Sequence, residues 1–96
     1  MGMLEREPED LFMNYALGVE YMADHRLPDA EAQFKKVLGT DSLYIAAYYQ
    51  LGKLHEAASN PAEALGYYKT GLEKARLKKD HKAINEFGEA IFMLED

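Results

Sequence analysis

Leu17-Gly18 recurs 34 residues later as Leu51-Gly52. Ala30 and Ala64 keep the same interval, and so do Phe34 and Tyr68. A bulky–small pair, a lone small residue and an aromatic, all held at constant phase, restrict the chain to stacked copies of one unit. Each copy then presents the same face to the next. The unit is most complete from Tyr48 to Tyr68. An amphipathic stretch, Tyr48-Tyr49-Gln50-Leu51-Gly52-Lys53-Leu54-His55, is followed by a short break and then Asn60-Pro61-Ala62-Glu63-Ala64-Leu65-Gly66-Tyr67-Tyr68. Asn-Pro with Glu three residues after the Asn is a helix start signal. The unit therefore reads as helix, turn, helix.

Taken in order, residues 1–7 are polar and acidic, and read as a frayed tail. Pro8 suits the first position of a helix, with Glu9 and Asp10 in its first turn where negative charge favours the dipole. Leu11, Tyr15, Gly18 and Met22, and beside them Asn14, Leu17 and Tyr21, then recur at helical spacing. A first helix is expected over about 8–24. His25-Arg26-Leu27 is the turn, and Pro28 opens a second helix with Ala30, Phe34, Val37 and Leu38 inward and Gly39 as its C-cap. Asp41 or Ser42 is expected to cap a third helix, which carries Tyr44, Ala47, Tyr48, Leu51, Leu54 and His55 and ends near Ala58. A fourth runs from Asn60 to about Lys79 with Ala64, Leu65, Tyr68, Leu72 and Ala75 on its stripe. Asp80 caps a fifth, with Ile84, Phe87, Ile91 and Leu94 on one face and Glu86, Glu89 and Glu95 in water. Phe87-Gly88 repeats the Leu-Gly mark 36 residues after Leu51-Gly52.

This pattern resembles the tetratricopeptide repeat. That family prefers a large residue at repeat position 4, Leu at 7, Gly or Ala at 8, Tyr at 11, Ala at 20, an aromatic at 24, a small residue at 27 and Pro at 32. The copy starting at Leu11 supplies Asn14, Leu17, Gly18, Tyr21, Ala30, Phe34, Val37 and Ser42. The copy starting at Ile45 supplies Tyr48, Leu51, Gly52, His55, Ala64, Tyr68 and Gly71. Asn14, Ser42 and His55 depart from the family pattern without upsetting its register. The resemblance implies an all-α fold of antiparallel helix-turn-helix repeats in a short right-handed α-solenoid of about five helices. One domain would span 8–96, with repeats at about 11–44 and 45–80 and a capping helix at about 81–95. Two and a half repeats is close to the minimum such an array needs.

Composition narrows the function. There is no cysteine, so disulfides, thiolate metal sites and Cys nucleophiles are excluded. No run of eighteen apolar residues is present, and the N-terminus has no secretory pattern. Arg6 stands where a myristoylated Gly2 would require Ser or Thr. A cytoplasmic protein is the natural reading. The net charge of −6 falls entirely within residues 1–34, which have eight acids and two bases, while residues 35–96 balance at nine each. Such a half repels phosphate and argues against nucleic acid as the main partner. The basic run 74–82 is the one candidate for weak anion binding. His25, His55 and His81 have no metal-ligand spacing, and Ser42 and Ser59 read as capping or loop residues. No phosphate loop or catalytic constellation is present, and neither enzyme activity nor a cofactor is expected.

The resemblance also supplies a site. In this family the first helices of the repeats line a concave groove through repeat positions 2, 5, 9, 12 and 13. Here those positions are Phe12, Tyr15, Val19, Met22 and Ala23, then Ala46, Tyr49, Lys53, Glu56 and Ala57. In the third copy, positions 2, 5 and 9 are Lys82, Asn85 and Glu89. Members that grip the carboxylate of chaperone tails use cations and Asn where this chain has Tyr15, Val19, Gln50, Lys82 and Glu86. Only Lys82 fits, which argues against that partner. The apolar stripe instead points to an apolar peptide or helix of another protein. The alternative is a homodimer closed through the same groove. On this reading Tyr15 and Tyr49 stand clear of the core and contribute little to stability.

Overall fold

The computed structural model describes residues 10–95, and the expected tail, Pro8 and Glu9 lie outside them. Among the described residues there are five helices and no strand. They are α1 (Leu11–Ala23), α2 (Leu27–Thr40), α3 (Ile45–Ala57), α4 (Pro61–Lys78) and α5 (His81–Glu95). Each packs on the next in chain order. The short turns between them force neighbours antiparallel. The result is an all-α helical repeat solenoid.

Three of the turns are built alike. His25, Ser59 and Lys79 adopt φ of 60°, 63° and 57°. The amide of the following residue then donates five residues back, from Arg26 to Tyr21, from Asn60 to His55 and from Asp80 to Ala75. This closes the preceding helix by satisfying a carbonyl that would otherwise lack a partner. His25 and Ser59 are themselves 34 residues apart, so the repeat extends to backbone conformation.

Several helix ends differ from the sequence reading. Asp10 does not lie in the first turn of α1. It is the N-cap, and its carboxylate accepts from the Met13 amide at 3.2 Å. Gly39 does not end α2, which continues to Thr40. Neither Asp41 nor Ser42 caps α3, whose N-cap is Tyr44. The Asp41 carboxylate instead accepts from the Leu43 amide at 2.9 Å, a local turn that competes with capping. The Ser42 carbonyl accepts from the Tyr48 hydroxyl at 2.7 Å, which ties this link to the core. Asn60 stands at the cap of α4 but makes no side-chain cap bond. Asp80 does cap α5, accepting from the Ala83 amide at 3.1 Å.

The core forms two successive layers. Ala30, Phe34, Val37, Ala47, Leu51 and Leu54 make the first, and Tyr48, Ala64, Tyr68, Ala75, Ala83 and Phe87 the second. Aromatic rings lie directly on glycine backbone. A Cβ on Gly18 would come within 2.6 Å of the Phe34 ring, and one on Gly71 within 2.5 Å of the Phe87 ring. Gly52 lies under the Tyr68 ring in the same way. Gly88 has the register of Gly52 but faces open space, because among the described residues no helix follows α5.

Leu17 is the first-repeat counterpart of Leu51, yet it is 37% exposed while Leu51 is fully buried. Side chains at this position pack toward the preceding repeat, as Phe87 does against Gly71 of α4. Among the described residues nothing precedes α1, so Leu17 has no such surface. His55 takes an inward tyrosine position and is buried. Its Nε2 meets the Glu31 carboxylate at 3.1 Å, and its ring stacks on Tyr67 with centroids 5.4 Å apart. Partial burial raises the Glu31 pKa, but hydrogen bonds from Lys35 and His55 outweigh it and leave the carboxyl below its usual value. His55 is thus accounted for by packing.

Two pairs of substitutions test this packing by urea denaturation. Gly52→Ala should destabilise by about 1–3 kcal/mol despite alanine's better helix propensity, because Tyr68 must move. Gly88→Ala, in open space within α5, should stabilise by about 1 kcal/mol. Leu51→Ala should cost about 2–5 kcal/mol, whereas Leu17→Ala should cost under about 1 kcal/mol.

Candidate functional site

The odd-numbered helices α1, α3 and α5 are the first helices of successive repeats, so equal register positions on them fall along one face. Tyr49, near the middle of α3, organises that face. Its ring packs on Tyr68 at 5.6 Å and edge-on to Phe87 at 5.7 Å. One turn on, the Lys53 ammonium lies 6.0 Å from the Tyr49 ring centroid. A further turn on, the Glu56 carboxylate accepts the Tyr68 hydroxyl. Burial, followed by that bond and the charge of Glu56, pushes the Tyr68 hydroxyl well above the usual phenol range. Tyr68 therefore stays a neutral donor and holds one carboxylate in place.

Two adjoining recesses open between α3 and α5. The larger, about 300 Å³, is lined by Tyr49, Lys53, Glu56, Tyr68, Glu86, Glu89, Ala90 and Met93. The smaller, about 170 Å³, includes Ala46, Tyr49, Lys82, Glu86 and Phe87. Tyr49, Lys53, Glu56 and Glu89 thus converge on one recess as the register implied, and Lys82 lies beside it. Asn85 is exposed and lines neither. On α1, Phe12 and Val19 are exposed and Met22 is half-buried, and none of them lines either recess. Phe12 stands 34 residues before Ala46, so it occupies the same face one repeat earlier.

The structure differs on Tyr15 and Tyr49. Both are half-buried and their rings are part of the core, not clear of it. Tyr15 packs on Phe34 at 5.7 Å and Tyr44 at 5.4 Å, and its hydroxyl accepts from the Gln50 amide at 3.2 Å, which links α1 to α3. A large ring at position 5 covers the aromatic at position 24, so it must serve both core and groove.

Four residues of this face escaped the sequence reading, namely Glu86, Ala90, Phe92 and Met93. Phe92 and Met93 occupy positions 12 and 13 of the third copy and are 69% and 73% exposed. Carrying the register one turn past Glu89 finds both. The sequence places Glu86 in water and at a chaperone-tail position it does not fit, not at a groove position.

The other candidate chemistry is dispersed. The basic run spans the end of α4, the Lys79 turn and the start of α5, and the Lys78 ammonium approaches the Leu43 carbonyl at 3.5 Å. Among the described residues no three His, Asp or Glu side chains gather closely enough to hold a metal ion, and no helix is long and apolar enough to cross a membrane.

Because its ring is wedged against Tyr68 and Phe87, Tyr49→Ala should lower stability by about 2–4 kcal/mol, read from the urea midpoint. Tyr15→Phe keeps the ring, loses only the Gln50 contact, and should cost under about 1.5 kcal/mol.

No protein-family model matches the sequence, and no curated protein matches it. Solved structures do. The chain is similar to the solution structure of a tetratricopeptide repeat domain protein from Salinibacter ruber, with TM-score 0.86 and 35% identity over 92% of this chain and 89% of that one. A crystal structure of a tetratricopeptide repeat domain protein from the same organism matches with TM-score 0.81 and 33% identity, covering 88% and 94%. The solution structure of a protein from Bordetella parapertussis has TM-score 0.84 at 22% identity, covering 97% and 81%, and shares the fold. With its 34-residue period, its ring-on-glycine packing and these relatives together, the chain belongs to the tetratricopeptide repeat family.

Proposed function

We propose that this chain is a non-enzymatic protein-interaction module that binds an apolar peptide or helix of another protein along the face formed by α1, α3 and α5. One observation carries the reading. At successive groove positions on both sides of Tyr49 stand large apolar side chains exposed to water, namely Phe12 (66%) and Val19 on α1 and Phe92 and Met93 on α5. None of them belongs to the buried core layers. Side chains that lie outside the core but keep a common register form a surface that an apolar partner would cover. Family membership supports protein as the partner class, and the same face on a second copy of the chain is the competing occupant.

Selection of random displayed peptides on the folded protein tests the reading. Apolar clones should emerge and lose binding to a Phe12→Ser, Met93→Ser double variant whose urea midpoint is unchanged. Clones that ignore the double variant would place binding elsewhere. Sedimentation equilibrium should show a monomer at all concentrations. A stable dimer abolished by the same substitutions would assign the face to self-association.

A further inference from the structure

The groove is not uniform along its length. At the α1 end its groups are hydrocarbon and aromatic, the exposed Phe12 and Val19 and the half-buried Met22. At the α5 end three carboxylates, Glu56, Glu86 and Glu89, line the larger recess with one ammonium, that of Lys53, and Lys82 adds a second beside Glu86 in the adjoining smaller recess. Glu86 and Glu89 are three residues apart on one helix, a spacing at which like charges repel. Among the described residues neither has an ion-pair partner; the α5 carboxylate that does is Glu95, which meets Lys69 at 2.9 Å outside this recess. Glu56 is held in place by Tyr68 but gains no positive charge from it. The walls between these carboxylates are the Tyr49 ring and the Met93 side chain. The Tyr49 face already has the Lys53 ammonium above it, so the geometry of a cation over that ring is accessible.

Resting on the groove reading above, we infer that the partner segment is apolar with a basic residue at one end, and that the Lys or Arg side chain of this residue enters the α3–α5 recess. Its methylene stem lies along Tyr49 and Met93, and its charged end meets Glu86, Glu89 and the free lone pairs of Glu56. The apolar remainder of the segment runs toward α1 over Val19 and Phe12. This fixes one direction for the partner along the groove. A purely apolar segment would leave the carboxylates desolvated without compensation, and an acidic one would be repelled. The net acidity of the chain, −6, acts in the same sense at longer range.

The test is the peptide selection repeated on wild type and on a Glu86→Gln, Glu89→Gln double variant. Both positions are exposed, so the fold should persist, as checked by circular dichroism. Wild-type clones should combine apolar residues with Lys or Arg, and their binding should weaken as salt is added. In the best clone, replacing the basic residue with norleucine should cost about tenfold in affinity on wild type and under about twofold on the Gln variant. Clones without basic enrichment, or an equal norleucine loss on both proteins, would overturn the basic-residue inference while leaving the groove intact. Failure to select any clone, or clones indifferent to Phe12→Ser and Met93→Ser, would overturn the groove reading and this inference with it.

Discussion

The aromatic ring laid on a glycine backbone is the contact on which this structure depends. Phe34 over Gly18, Tyr68 over Gly52 and Phe87 over Gly71 set how closely successive helices approach. Where a glycine removes the Cβ, two helices can sit at the short end of the usual interaxial range, and the ring fills the space that remains. The same rings then support the groove. Tyr15 packs on Phe34, and Tyr49 packs on both Tyr68 and Phe87. Core and proposed binding face are therefore two sides of one aromatic layer, and the side chains at position 5 cannot be changed without cost to folding.

The solenoid's ends follow from the same logic. Each repeat leaves one face for a neighbour, so whatever stands first or last keeps that face open. Leu17 at one end and Gly88 at the other mark where a further layer would sit among the described residues. Phe12, Phe92 and Met93 are different, because their register places them on the groove side. Among the described residues, exposure at the open ends of the array is thus distinct from exposure aligned along a common face.

Much of the fold was legible before any coordinates. The 34-residue interval placed Leu17, Gly18, Ala30 and Phe34 against Leu51, Gly52, Ala64 and Tyr68, and the helix count followed from Pro28, Pro61 and the turns around them. What misled was local chemistry with two outlets. Asp41 can cap a helix or close a turn on Leu43, and only the path of the chain into α3 selects the turn. Asp10 could lie inside a helix or at its start, and the α1 geometry makes it the cap. For the site, Lys53, Glu56 and Glu89 line the larger recess and Lys82 the smaller, whereas Asn85 lines neither and Phe92 and Met93 lie beyond the positions the pattern named.

The sequence by itself determined the repeat, the sites of close helix approach and the helices that would share a face. These depend on spacing and on residue size, both of which are properties of the chain in one dimension. Tertiary structure alone decided which tyrosines are divided between the core and the proposed groove, that Tyr68 reaches across to fix Glu56, and that Glu86 joins Glu56 and Glu89 at one recess with too little positive charge to balance them. Glu56 is 30 residues from Glu86, which is not the repeat interval, so spacing alone does not give the distance between their side chains. That distance is set by how two aromatic layers pack, which is a three-dimensional property of the rings and the glycines beneath them.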